Sequence, residues 1–318
     1  MTREQITYVV FGGLLILALA FDLGLLSRKN SHITIRKAIW QTLFWVGLAV
    51  SFFVFLWFRN GHVFALEYVS AYLMEWSLSI DNIFVFILIF NFFKVKEDYY
   101  ARVLLIGILM AIIFRVIFIT VGIVLVERFS WILYIFGAVL VYTGIRIFIT
   151  RGNEMVDIEK NKVYMLLKRV LPLTTVENKG KLTARIENKK YYTTIFVVII
   201  MLATTDIVFA LDSIPAVFAI SQERLVIYTS NIFAVLGLRS LFFLLQGAVN
   251  KFAHLQQGIA IVLMFIGLKM LVEFFDIHVP VYISLIVILV CITGSIIYSI
   301  SIAERETKEE INLPEDSK

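Results

Sequence analysis

The sequence predicts an all-α polytopic membrane protein of about nine transmembrane helices, and three observations carry that prediction. Of the 318 residues, 60% are hydrophobic and 17% charged, a balance that a soluble chain could not bury around one or two cores. The apolar residues fall in windows of about 20, the length that crosses a hydrocarbon layer. Lys and Arg gather in alternate loops, as the positive-inside rule requires.

The windows run near 6–26, 38–58, 63–90, 103–126, 131–149, 193–220, 228–248, 257–272 and 280–300. The first should remain as a helix, because Arg28 and Lys29 follow its apolar run instead of preceding it and no small-residue cleavage site is seen. Twenty-one Lys and Arg lie on the side holding 27–37, 92–102, 150–192, 249–256 and the C-terminus, against four (Arg3, Arg59, Arg128, Arg224) opposite. The N-terminus is therefore expected outside and the C-terminus in the cytoplasm. The longest break, 150–192, holds ten basic and five acidic residues with Pro172 and Gly180. It reads as a cytoplasmic linker lying near anionic lipid, with a short amphipathic piece at Val163–Val170.

The formal charge of +5 thus reports topology, not a nucleic-acid partner. The single cysteine, Cys291, has no partner for a disulfide or a thiolate metal cage within one chain. His32, His62, His254 and His278 fall in loops or at span ends, so a metal site inside the membrane would be oxygen-rich.

An internal repeat organises the spans. Glu75-Trp76-Ser77-Leu78-Ser79-Ile80-Asp81-Asn82-Ile83 in the third lies over Asp206-Ile207-Val208-Phe209-Ala210-Leu211-Asp212-Ser213-Ile214 in the sixth. Arg115 then falls opposite Arg239, and Tyr142-Thr143-Gly144-Ile145-Arg146 opposite Phe265-Ile266-Gly267-Leu268-Lys269. Each three-helix unit crosses an odd number of times around a cytoplasmic linker, so the second enters inverted, as in secondary transporters. The expected organisation is two helices in 1–62, a first unit in 63–149, the linker in 150–192, a second unit in 193–272, and a last helix with its tail in 273–318.

Glu75, Asp81, Asp206 and Asp212 are the candidate metal-binding residues. Each ionised group at the bilayer centre costs about 2.5–3.5 kcal/mol, and four together cost on the order of 10 kcal/mol, so something must bind them. Arg115 and Arg239 balance part of the charge, which leaves a surplus suited to a cation or protons. At about 100° per residue, Glu75, Ser79 and Asn82 share one face, as do Asp206 and Ser213, while Asp81 and Asp212 point about 120° away. Pro215 frees the carbonyl of Leu211 and predicts a kink or break in the sixth span beside Asp212. A bulge around Ser79–Asp81 would do the same in the third. With Asn82, Ser79, Ser213 and Thr205 as supporting ligands, the donor set is hard oxygen, which fits Mn²⁺, Mg²⁺ or Ca²⁺. Glu67 and Asp22 lie nearer the membrane faces, as vestibule candidates or simply hydrated groups. Arg146 and Lys269, near span ends, are expected to snorkel.

The chain resembles the TerC family of bacterial membrane proteins, in the longer form that includes Alx-type manganese exporters. The residues that carry the likeness are Ala20-Phe21-Asp22-Leu23-Gly24, Glu75 through Phe86, and Phe209-Ala210-Leu211-Asp212-Ser213-Ile214-Pro215-Ala216, supported by Tyr142-Thr143-Gly144. The resemblance implies metal-cation transport, chiefly Mn²⁺ export across the bacterial cytoplasmic membrane, with Glu75, Asp81, Asp206 and Asp212 as the motif acids. It also implies an association with tellurite resistance. Ala203 stands where the family leads one to expect a Glu before the Thr205-Asp206 pair, which puts metal preference in doubt.

Together these readings give alternating access by a secondary transporter, not an enzyme. Its cargo is a divalent ion, protons are the candidate exchange ion, lipid is its surroundings, and no prosthetic group is expected. Two competing classes are an intramembrane aspartyl protease, which lacks its Gly-x-Gly-Asp signature here, and a non-transporting scaffold that docks metal-homeostasis or stress proteins through 150–192.

Overall fold

A computed structural model describes residues 3–26, 34–150, 162–174, 180–186, 189–246, 255–275, 277 and 279–312. The helices are α1 (Arg3–Leu26), α2 (Ile35–Asn60), α3 (His62–Phe92), α4 (Glu97–Arg128), α5 (Ile132–Thr150), α6 (Lys162–Val170), α7 (Thr194–Ile220), α8 (Arg224–Leu236), α9 (Leu238–Leu245), α10 (Leu255–Val272) and α11 (Val281–Asn312). Among the described residues, seven helices are long and apolar enough to cross a membrane, and α8 with α9, bent by 40°, makes an eighth if the pair is one broken span and not a re-entrant loop. The described apolar stretch of α1, Gln5–Ile16, is shorter. The all-α polytopic class holds.

Hydrocarbon offers no water to a backbone or hydroxyl group, so polar atoms are satisfied inside the helices that carry them. Ser70, Ser77, Thr204, Thr205 and Thr229 each donate to the carbonyl four residues back at 2.6–2.8 Å. Burial then sorts the helices. α2 buries one stripe, Ala38, Trp45, Ala49, Phe52 and Leu56, and leaves Trp40, Leu43, Val50, Val54 and Phe58 exposed on a face suited to lipid. α8 is buried almost all round, from Leu225 to Leu236. At the centre α4 packs on α7 and α3 on α8, while α5 lies along α10.

The α5–α10 seam explains the Tyr142-Thr143-Gly144 motif. A Cβ on Gly267 would stand 2.6 Å from the Gly137 carbonyl oxygen, and one on Gly144 2.8 Å from that of Ala260. Small residues thus let the two backbones touch, as membrane helices require when no hydrophobic force drives them together.

Neither α3 nor α7 is interrupted where a bulge or break is expected. α3 is continuous through Ser79–Asp81, and α7 is continuous through Pro215, because surrounding helices let a membrane helix tolerate a proline without breaking. The break falls instead at Gly237, between α8 and α9, beside Trp45 of α2. The linker also departs from a simple solvated loop. Besides the expected amphipathic α6, it forms a three-stranded sheet of β1 (Leu173–Thr174), β2 (Thr183–Ile186) and β3 (Lys189–Thr193), in the order β1-β3-β2. β1 pairs parallel and β2 antiparallel with β3. Gly180, three residues before β2, has φ +75°, and a Cβ there would press within 2.8 Å of the Tyr99 ring, so the approach to β2 lies against the start of α4.

Candidate functional site

The site lies where the buried stripes of three helices cross. On α4 that stripe runs Leu104, Ile108, Ala111, Arg115, Ile119, Gly122 and Val126, and the three-and-four spacing places Arg115 at its middle. Glu75, Ser79 and Asn82 occupy the buried face of α3, and Asp206 and Ser213 that of α7, as the angular argument predicted.

Arg115 binds both carboxylates. Its Nε donates to Asp206 Oδ2 at 3.0 Å and its Nη2 to Asp206 Oδ1 at 3.1 Å, a forked pair. Its Nη1 donates to Glu75 Oε1 and, at 3.1 Å, to Asn231 Oδ1. Asn82 Nδ2 adds a bond to Asp206 Oδ1 at 3.3 Å. None of the Glu75, Arg115 and Asp206 side chains is more than 2% exposed. Two carboxyl groups thus face one guanidinium, and with both ionised they would leave a net negative charge in a medium that opposes it.

A cavity of about 60 Å³ opens beside this trio, with Glu75, Asn82, Arg115, Thr143, Phe209 and Ser213 in its lining. Around the site, Glu75 Oε2, Ser79 Oγ, Asn82 Oδ1 and Ser213 Oγ are buried and have no hydrogen-bond partner. Such unpaired oxygens are what a cation or its waters would satisfy. Among the described residues no group of three His, Cys, Asp or Glu side chains stands close enough to hold a metal ion.

The remaining candidates are placed as follows. The side chains of Asp22, Asp81 and Asp212 lie outside the described residues. Thr205 is half-buried and its hydroxyl donates to the Met201 carbonyl at 2.7 Å. Arg239 is buried just past the α8–α9 break. Ala203 is buried on α7. Glu67 sits toward the α3 start, where its Oε2 accepts from Ser221 Oγ at 2.6 Å. Arg146 is exposed, as snorkelling requires. Lys269 is not. It is 7% exposed and its Nζ donates to the Ala219 carbonyl at 3.0 Å, because the last carbonyls of α7 lack an intrahelical partner and favour a cation.

Sequence reasoning missed Asn231. Its only signal was the polar run Thr229-Ser230-Asn231 inside an apolar span, and its role appears only once α8 packs against α4. Its Nδ2 donates to the Ile227 carbonyl at 3.1 Å, which fixes its Oδ1 toward Arg115.

The chain is 38% identical to an uncharacterized membrane protein of Rickettsia felis over 294 residues, 92% of this chain and 97% of the relative. It is 38% identical to another of Myxococcus xanthus over 305 residues, 96% and 95% of the two chains. It is 35% identical over 317 residues, 96% and 98% of the two chains, to a protein of Escherichia coli O157:H7 named "Putative membrane-bound redox modulator Alx". No solved structure matches. Residues 60–308 match the family model described as the integral membrane protein TerC family. That span takes in Glu75, Arg115, Asp206 and Asn231, and the chain belongs to the TerC family of integral membrane proteins.

Proposed function

We propose that the chain is a secondary transporter of divalent cations, with Mn²⁺ as its main cargo, exported across the bacterial cytoplasmic membrane by alternating access. One observation carries this reading. Acids from equivalent positions of the two units, Glu75 and Asp206, meet at a buried point beside a cavity ringed by unpaired hard oxygens. An arrangement so costly to bury persists when it binds something, and hard oxygen suits Mn²⁺, Mg²⁺ or Ca²⁺.

The packing supports the inverted repeat on which alternating access rests. Exchanging the two units turns the α4–α7 contact into the α8–α3 contact, and both are among the main packing contacts at the centre. α5 and α10, also equivalent, meet backbone to backbone. The same carboxylates that release the ion are suited to take up protons on the return step. Loop charge puts the N-terminus outside and the C-terminus in the cytoplasm.

Flux of single metals into proteoliposomes containing only this chain, at two pH values, tests the proposal. Mn²⁺ should move, and Asp81→Asn and Asp212→Asn should each abolish movement while inserting normally. Parent-rate flux through both variants would remove these aspartates from the site. Cysteine labels at 160 and 224 should react from opposite faces; labelling from one face would end the inverted repeat.

A second reading, a scaffold for metal-homeostasis or tellurite-stress proteins, has its own observation. The amphipathic α6 exposes Met165, Leu166 and Val170 next to Lys168 and Arg169. Absence of flux for every metal tried would favour it. The redox role in the name of the Alx relatives has one thiol to work with here, Cys291.

A further inference from the structure

We infer that Arg115 is the specificity-determining residue of this site: a resident counter-cation whose guanidinium stands between Glu75 and Asp206 and yields to a divalent ion but not to a monovalent one. The inference rests on the cation-transport reading and names what selects the cargo.

The geometry shows what a cargo ion must displace. Of the four oxygens on Glu75 and Asp206, three accept from Arg115 and the fourth, Glu75 Oε2, has no partner. A cation approaching that oxygen therefore competes with the guanidinium for the rest. The charges decide the outcome. With both acids ionised and Arg115 in place, the trio carries one net negative charge. Any ion that replaced the guanidinium would forfeit a forked pair of charge-assisted bonds and leave the guanidinium buried nearby, and a monovalent one would do so for the same net charge on the carboxylates. A divalent ion neutralises both carboxylates at once, and that gain is available to no monovalent competitor.

The surroundings are arranged for such an exchange. Arg115 itself lines the 60 Å³ cavity, and Thr143 and Ser213 on the same lining supply hydroxyls for a guanidinium that swings aside. Asn231 sets how tightly it is held. This amide is fully buried and anchored on its own helix, and it takes the Nη1 proton that Glu75 does not. Asn231 is a positioning residue acting through Arg115.

The test is thermal unfolding of the purified full-length protein, titrated with MnCl₂ or with NaCl at matched ionic strength. Arg115→Gln should unfold earlier without metal, recover toward the parent midpoint with MnCl₂ and not with NaCl, and bind Mn²⁺ about tenfold more tightly, equivalent to about 1.4 kcal/mol. Asn231→Ala, which keeps the ion trio, should bind Mn²⁺ roughly threefold more tightly, equivalent to about 0.6 kcal/mol. In proteoliposomes Arg115→Gln should pass Na⁺, which the parent excludes. If MnCl₂ stabilises Arg115→Gln no more than it does the parent, Arg115 is a structural tie and the inference falls. If Arg115→Gln does not fold, an unchanged Mn²⁺ affinity in Asn231→Ala overturns it instead. Recovery of Arg115→Gln by MnCl₂ without divalent flux through the parent would uphold the exchange and remove the transport reading.

Discussion

Arg115 and Arg224 each join α4 to the second half of the chain through a carboxylate, and the two contacts differ in almost everything except chemistry. Arg224 at the start of α8 forks onto Glu127 near the end of α4, with Nε to Oε1 at 2.9 Å and Nη2 to Oε2 at 2.7 Å. Those side chains are 59% and 52% exposed. Arg115 makes a similar fork onto Asp206 with both side chains at 2%. Exposed pairs add little and are screened by salt. Buried pairs carry a desolvation cost that their attraction may not repay, yet losing one partner is severe. The difference teaches that geometry alone does not rank an ion pair. The exposed fork is expected to matter little, whereas the buried one faces a second acid that it does not balance, the feature on which the proposed cation site rests.

The largest expected effect breaks the buried side. Arg115→Met leaves two carboxylates uncompensated and should lower stability by about 3–5 kcal/mol, read from chemical unfolding in detergent. A smaller loss would show that the acids are already neutral. Removing the whole trio sharpens the contrast. Glu75→Leu with Arg115→Met and Asp206→Leu should restore parent stability or exceed it by about 1–4 kcal/mol, with metal flux abolished; a triple variant as weak as Arg115→Met would make the trio a stabilising core. Asp206→Asn, which leaves one acid facing one arginine, should cost no more than about 2 kcal/mol while flux is lost. Retained flux would move the site elsewhere. The smallest effect belongs to the exposed fork: Glu127→Gln should leave the unfolding midpoint unchanged at low and high salt. A clear, salt-sensitive drop would show that this surface pair helps to hold the halves together.

The sequence made conspicuous what is costly and hid what is tertiary. Glu75, Asp206 and Arg115 stand out because charge inside an apolar span is rare, and three-and-four spacing already placed Glu75, Ser79 and Asn82 on one face. That Arg115 would bridge acids from α3 and α7 depends on how those helices pack, which no local spacing encodes. Pro215 suggested a break by its chemistry, but neighbouring helices decide whether a membrane helix breaks, and the bend fell at Gly237. Lys269 sits near a span end and reads as a snorkelling residue, yet the unpaired carbonyls at the end of α7 drew it inward. The linker sheet is built from strands of two to five residues among charged neighbours, too short to stand out by periodicity.

The α5–α10 seam has a mechanical consequence. Where Gly137 meets Gly267, backbone faces backbone, with the side chains of Val141, Met270 and Leu271 packed close around the contact. Phe90, Tyr100 and Phe242, with ring centroids 4.4–5.8 Å apart between α3, α4 and α9, must unlock as a set because packed rings hold discrete arrangements. The seam and the ring cluster are thus two places where helices of the first half are held directly against helices of the second. A swing of one half against the other would have to shift both contacts at once.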